Sequence, residues 1–295
     1  MNFLITGGTG FIGSALCIPL LAEKHNIVVL SRSPEKPLSR TRTITSLGQL
    51  TDDDAFDVVI NLAGEPIANK RWSDHQKKKI TNSRIDTTES LIDYFKQTKN
   101  KPQLLINGSA IGYYGTNRSN AIIEESTDCD DSFSSQLCQK WEKTALKAET
   151  LGIRTCLLRT GVVLGKNGGA LSKMLPPFKM GLGGRIGHGE QWMSWIHLDD
   201  LVGIILHCID NDSLKGSING TSPNPVTNET MTKALGVALK RPTIFPMPEL
   251  VVTLLMGQMG KELLLAGKRI LPRKALDTGY NFKYKTLEDA LKNIV

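Results

Sequence analysis

The first chemistry legible in the chain is a cradle for phosphate. Gly7-Gly8-Thr9-Gly10-Phe11-Ile12-Gly13 satisfies G-x-x-G-x-x-G and, counted from Gly8, G-x-G-x-x-G. Glycines at these spacings let a turn adopt positive φ, let backbone N–H groups approach a pyrophosphate, and let a helix pack closely on the strand before it. A glycine triplet alone is weak, but here a strand pattern precedes it and a helical pattern follows, which is the context of a dinucleotide site. The phosphates would sit at the positive end of that helix. Gly7, Thr9, Gly10, Phe11, Ile12 and Gly13 are the cofactor-binding residues expected from this segment.

Roughly 20 residues past such glycines, an NAD site places Asp or Glu to accept a hydrogen bond from the ribose 2′-hydroxyl. This chain has Leu30-Ser31-Arg32 at that point. Arginine cannot accept that bond, but its guanidinium pairs with a 2′-phosphate, and the serine adds a donor. Ser31 and Arg32 therefore select NADP(H) over NAD(H). Residues 181–197 form a second cluster: Arg185, His188, Glu190, Trp192 and Trp195 stand among glycines. Charge at one end and flat apolar faces at the other suit a small anionic or sugar-bearing substrate, with Arg185, His188, Trp192 and Trp195 as its contacts. His197, Asp199 and Asp200 read as architecture, capping a following helix. The cysteines at 17, 129, 138, 156 and 208 are scattered without metal-ligand spacing, so neither a metal site nor a disulfide framework is expected.

Elements that could position these groups alternate along the chain. Apolar runs at residues 2–6, 27–30, 57–62, 104–108 and 154–159 read as buried strands. Helical periods fall at about 11–24, 73–98, 132–150 and 198–210. That order defines an α/β fold, a Rossmann-type doubly wound parallel sheet. After Gly165 the density of glycine, with Pro176 and Pro177, reads as loop. The expected division is a cofactor-binding domain over 1–220, whose loop 166–196 borders the substrate, and a small C-terminal lobe over 221–295.

A chain of 295 residues with 40% hydrophobic and 22% charged residues can bury a large core, which excludes disorder and fibre. The net charge of +7 collects in residues 240–295, where 10 Lys and Arg face 5 Asp and Glu. No aromatic-basic module accompanies it, so a nucleic-acid partner is not expected; a basic lobe suits an anionic substrate or a protein docking face. The acidic run 124–131 reads as a solvated face. No apolar run reaches the length of a membrane span, and Met1 leads straight into a strand pattern. The expected setting is cytoplasmic.

With these residues in view the chain resembles the extended short-chain dehydrogenase/reductases, which include nucleoside-diphosphate-sugar epimerases and dehydratases. Within them it is similar to the atypical epimerase-family branch that ends in a small domain of unknown function. The resemblance rests on Thr6 to Gly13, Asn61-Leu62-Ala63-Gly64-Glu65-Pro66-Ile67, Arg71-Trp72, Ser83-Arg84, Ser109 to Gly115, Trp141-Glu142, Arg159 to Gly165, Trp195 to Leu201 and Asn219 to Thr227. It implies cofactor contacts at Leu62, Ala63, Gly64, Arg84 and Val163. It also exposes a departure. The superfamily's Tyr-x-x-x-Lys pair, in which lysine lowers the tyrosine pKa for proton exchange, aligns with Ser134 and Cys138. Its catalytic Ser or Thr aligns with Ala110, one place after Ser109. Tyr113, Tyr114 and Ser109 are the catalytic candidates that remain, while Lys140, two places beyond the lysine position, points away from the site.

The resemblance implies an NADP(H)-binding oxidoreductase or epimerase acting on a carbonyl, hydroxyl or nucleotide-sugar compound through a non-standard site. The alternative is a catalytically weak NADP(H)-binding regulator acting through a protein partner, as in cell division, since some relatives in photosynthetic lineages are linked to cell or plastid division. Nothing in the residues fixes the oligomeric state.

Overall fold

The computed structural model describes residues 1–32, 38–51, 53–117 and 119–295. The chain opens with β1 (Asn2–Thr6), α1 (Phe11–Ala22), β2 (Asn26–Leu30), β3 (Arg42–Ile44) and β4 (Val58–Asn61), followed by α2 (Asp74–Gln97) and β5 (Leu104–Ala110). Next come β6 (Ile122–Ile123), α3 (Phe133–Ala145), β7 (Arg154–Thr160), β8 (Val162–Leu164) and α4 (Leu171–Lys179). Then follow β9 (Trp192–Met193), β10 (Trp195–His197), α5 (Leu198–Asp210), β11 (Gly216–Gly220), β12 (Val226–Thr227) and α6 (Asn228–Leu239). The chain closes with α7 (Glu249–Met256), α8 (Gln258–Leu263), β13 (Arg269–Ile270), α9 (Arg273–Asp277) and α10 (Leu287–Ile294).

Seven strands form one parallel sheet in the order β11-β7-β5-β4-β1-β2-β3. This is the doubly wound order, and its direction reverses between β1 and β4, where such sheets bind ligands at the strands' C-terminal ends. The strands read as unbroken apolar runs because both faces are covered. One core packs Phe3, Ile5, Ile60 and Ile106 against Leu16, Leu201 and Ile205. The other packs Leu4, Val59 and Leu105 against Leu91, Phe95 and Ala145. The long, polar α2 starts on Ser73, whose hydroxyl accepts from the Gln76 N–H, with Asp74 in its first turn and Lys96 in its last.

Two expectations change. The glycine-rich stretch after Gly165 holds the nine-residue helix α4 and the short strands β9 and β10 as well as loop. Pro176 and Pro177 lie inside α4, which keeps its place by burying Leu171 and Phe178 against α6. In the acidic run, Glu125 is buried rather than solvated, its carboxylate accepting from the Asn219 and Lys274 N–H groups.

His197 caps α5 as expected, Nδ1 accepting from the Asp199 N–H at 3.0 Å. Asp200 does more. Its buried carboxylate accepts from the backbone N–H groups of Lys283 (2.7 Å) and Tyr284 (2.9 Å) and from the Tyr280 hydroxyl (3.2 Å). One side chain thus ties the C-terminal segment to α5. Asp200→Asn turns an amide toward those donors and is expected to cost about 2–4 kcal/mol, read as a lower urea midpoint with the fold retained.

Candidate functional site

At the switch point, Gly7 adopts φ +69°, and a Cβ there would stand 2.7 Å from the Leu62 carbonyl oxygen. A Cβ on Gly13 would meet the Gly7 carbonyl oxygen at 2.4 Å. The cradle therefore exists only because these positions are glycine. Gly10 caps α1 in extended backbone. Thr9 reaches the end of β2, its hydroxyl 3.5 Å from that of Ser31, and the exposed Arg32 follows. The carboxylate whose charge feels Arg32 is that of Glu65, which also pairs with Lys79. Phe11 wedges its ring beneath Gly165, Gly168 and Gly169, binding the start of α1 to the loop before α4.

The end of β4 lies against the cradle. Thr6 Oγ1 donates to Asn61 Oδ1 (2.6 Å) and accepts from the Ala63 N–H (3.2 Å). Arg84, on α2, lies against Gly64 and donates to the carbonyls of Glu65 (3.1 Å) and Ile80 (3.0 Å). Its guanidinium sits 5.2 Å from the Trp141 ring centre. Val163 is nearly buried beside the same loop. Residues 64–69 then cross to α4, where Lys173 Nζ donates to the Ala68 carbonyl and to Asn69 Oδ1 (2.8 Å). The contacts close a circuit: Gly7 to Ala63, along 64–69 to Lys173, back through Gly169 to Phe11 and the glycine loop.

The expected catalytic residues fare differently. Tyr114 is fully buried, its hydroxyl donating to Asn219 Oδ1 (2.7 Å) and accepting from Arg159 (3.0 Å). Burial, only partly offset by Arg159, pushes its pKa up to about 12. Ser109 is also buried and donates to Glu142 at 2.6 Å. Both hydroxyls are committed to internal partners. The physical reason is Arg159, a buried guanidinium whose donors must be matched: two go to the Glu142 carboxylate at 2.8 Å each, others to Tyr114 and the Glu125 carbonyl. Tyr113 remains partly accessible, its ring 3.4 Å from the Arg159 guanidinium carbon. Burial raises its pKa, so the phenol is protonated at neutral pH.

The aligned Tyr and Lys positions are occupied in an unexpected way. Ser134 N–H (2.9 Å) and Oγ (2.6 Å) donate to Glu262, which reaches over from α8 and also accepts from the Phe133 N–H. A carboxylate from the C-terminal lobe thus caps α3 where the superfamily's phenol begins. No local pattern in the sequence announces a contact spanning 128 positions. Cys138 is buried; burial and then the nearby Glu142 charge push its thiol up to about 11. Lys140 is exposed on the other side of the helix.

The expected substrate residues do not converge. Trp195 is fully buried with its N–H on the Asn224 carbonyl, a core residue without a face for a ligand. Trp192 stacks under Arg269, 5.1 Å from the ring centre, and donates to Asn120. His188 Nδ1 accepts from the Glu190 N–H. Arg185 borders a separate groove of about 280 Å³ with Glu229 and Lys233 of α6. Among the described residues no group of His, Cys, Asp or Glu could hold a metal ion.

A doubly wound sheet with a glycine cradle at its switch point defines a dinucleotide-binding protein of the short-chain dehydrogenase/reductase type. The chain belongs to the NAD dependent epimerase/dehydratase family, whose profile matches residues 3–219, and a domain of unknown function, DUF1731, matches residues 247–294. It is 40% identical over 305 residues to the chloroplastic epimerase family protein SDR39U1 homolog of Arabidopsis thaliana, covering 100% of this chain and 87% of that one. With the Homo sapiens epimerase family protein SDR39U1 it shares 36% identity over 304 residues, 100% of each chain. The crystal structure of human SDR39U1 (isoform 2) with NADPH superposes with a TM-score of 0.89 at 35% identity, covering 100% and 99% of the chains. A UDP-glucuronic acid 4-epimerase from Bacillus cereus with NAD shares the fold, at a TM-score of 0.78, 19% identity and coverage of 99% and 94%.

The burial of Cys138 has a chemical consequence. In the native protein at pH 8, iodoacetamide should label the exposed Cys129 and spare Cys138, because burial disfavours the reacting thiolate. Peptide mass spectrometry before and after denaturation reads the difference.

Proposed function

We propose that the chain is an NADP(H)-dependent oxidoreductase or epimerase acting on a small carbonyl or hydroxyl compound, a nucleotide sugar among the candidates. The observation that carries this reading is the junction of the glycine cradle with Ser31 and Arg32. The residues fit the cofactor: the cradle has room for a pyrophosphate only without side chains at Gly7 and Gly13, and Arg32 follows where a 2′-phosphate needs a cation. The NADPH in the human relative's structure supports the same assignment. Leu62, Ala63, Gly64, Arg84 and Val163 complete the binding set around the circuit. When bound, NADPH supplies a hydride; the chain's part is to hold it, exclude water and deliver a proton. Tyr113 is the accessible phenol near the end of β5 and, being protonated, acts as donor to a carbonyl oxygen. Of the expected substrate residues, Arg185, His188 and Trp192 keep accessible surface and Trp195 does not. A small-molecule substrate suffices for this scheme. The described residues include no helix long and apolar enough to cross a membrane, and the five free thiols suit a reducing, cytoplasm-like compartment.

NADPH should raise the melting temperature more than NADH at equal concentration, and Arg32→Asp should reverse that order. A charge-assisted phosphate contact of about 2–3 kcal/mol corresponds to a preference of roughly 30–150-fold. Unchanged selectivity in the variant, read by titration calorimetry, would remove Arg32 from the assignment.

Lys173 fastens 64–69 across the groove without being part of the cradle. Lys173→Ala should speed NADPH release, measured by stopped-flow displacement, by about 10-fold, the worth of one or two hydrogen bonds. A slower association with unchanged release would instead make Lys173 an attracting charge.

A further inference from the structure

Glu65, just past the end of β4, has both sides of its backbone fastened to α2. Its N–H donates to Ser83 Oγ at 2.8 Å, and its carbonyl accepts from Arg84 at 3.1 Å. From that anchored backbone the carboxylate meets the α2 side chain one turn before Ser83: Lys79 Nζ stands 3.3 Å from Oε1. The two partners differ in freedom. The Glu65 side chain is 12% exposed and that of Lys79 48%, so the lysine is the member able to swing away. Desolvation works against the Glu65 charge, but Lys79, Gln76 and Arg32 outweigh it and hold the carboxyl below the usual range. Arg32, at the end of β2, therefore acts on the same carboxylate that holds Lys79. Three separate elements contribute to one charge cluster, on the β2 side of the cradle where a dinucleotide presents the 2′ position of its adenosine ribose.

We propose that Lys79 is a specificity-determining residue for NADP(H): it exchanges the Glu65 carboxylate for the cofactor's 2′-phosphate and joins Arg32 there, while Glu65 keeps it in place until the cofactor arrives. This rests on the NADP(H) reading of Ser31 and Arg32. A carboxylate at this spot could instead accept from a ribose 2′-hydroxyl, as in an NAD site, but the charge balance favours phosphate. Arg32, Lys79 and Arg84 surround one carboxylate, and the positive surplus matches a phosphate monoester of about −1.5 to −2 rather than an uncharged hydroxyl. The exchange costs little, because an ion pair as exposed as Lys79 with Glu65 is weak, whereas phosphate oxygens accept shorter and stronger charge-assisted bonds. The division of labour suits the side chains too. Arginine offers a fixed planar fork, and lysine a point charge on a flexible stem that can change partners.

Titration calorimetry on the full chain with NADPH and NADH, repeated with adenosine 2′,5′-bisphosphate and AMP, tests this. Lys79→Met keeps the stem and a good helix former. It should weaken NADPH and the bisphosphate by about 10-fold and leave NADH, AMP and the circular dichroism spectrum unchanged. Lys79→Arg should keep most of the preference. Glu65→Gln should tighten NADPH by about 3-fold without moving NADH, since the lysine then has no charged partner to leave. Three results overturn the proposal: a full preference for NADPH in Lys79→Met; an equal loss for phosphorylated and unphosphorylated ligands, which makes Lys79 a brace for residues 64–65; or a Glu65→Gln variant that binds NADH more weakly, which makes the carboxylate a ribose acceptor. A wild type that binds NADPH and NADH alike removes the NADP(H) reading and this proposal with it. A preference lost in Arg32→Asp but intact in Lys79→Met sinks the proposal alone.

Discussion

Arg159 and Glu142, both about 95% buried, face each other through two parallel hydrogen bonds of 2.8 Å, and the C-terminal half of the sheet is arranged around that pair. Burial works against the Arg159 charge; the hydrogen bonds and charge of Glu142, with the Tyr114 hydroxyl, outweigh it and hold the guanidinium protonated. Such a pair adds little net stability over apolar packing, but every donor and acceptor must be matched or the cost rises to several kcal/mol. The matching explains the surroundings. Ser109 completes Glu142, Tyr114 and the Glu125 carbonyl complete Arg159, and Asn219 accepts from Tyr114 while donating to the Leu271 carbonyl. One ion pair therefore couples β5, α3, β7, β11 and the C-terminal lobe.

That coupling accounts for the departure from the superfamily's catalytic pattern. With Ser109 and Tyr114 drawn inward and Cys138 sealed, the polar groups near the cleft come from elsewhere: Arg84 from α2, Tyr113 from the turn after β5, and Glu262 from α8. Cation, phenol and carboxylate are all present, but on different elements from the usual pair. The C-terminal lobe is tied into the start of α3 rather than appended to the sheet.

How much of this the residues disclosed follows from the range of each interaction. The glycine cradle, the buried strands, the start of α2 on Ser73 and the His197 cap rest on neighbours within a few positions, so pattern and propensity reveal them. The class of fold follows from their order. The burial of Trp195, Tyr114 and Ser109 was not legible because aromatic and hydroxyl side chains serve cores and ligands alike, and only the positions of Asn224, Arg159 and Glu142 give them their internal partners. Helix α4 was hidden because glycine and proline dominate its surroundings, while the apolar residues that fix it, Leu171 and Phe178, pack on α6 far along the chain. Glu262 and Lys173 have no local signature at all.

The capping of α3 by Glu262 also sets a timetable. During synthesis, the amides of Phe133 and Ser134 wait for a carboxylate 129 and 128 positions downstream. At 5–20 residues per second that interval is roughly 6–25 s. Through it all seven strands of the sheet are made while the start of α3 stays uncapped by Glu262. A nascent chain can thus own its glycine cradle well before the C-terminal lobe closes the start of α3 beside it.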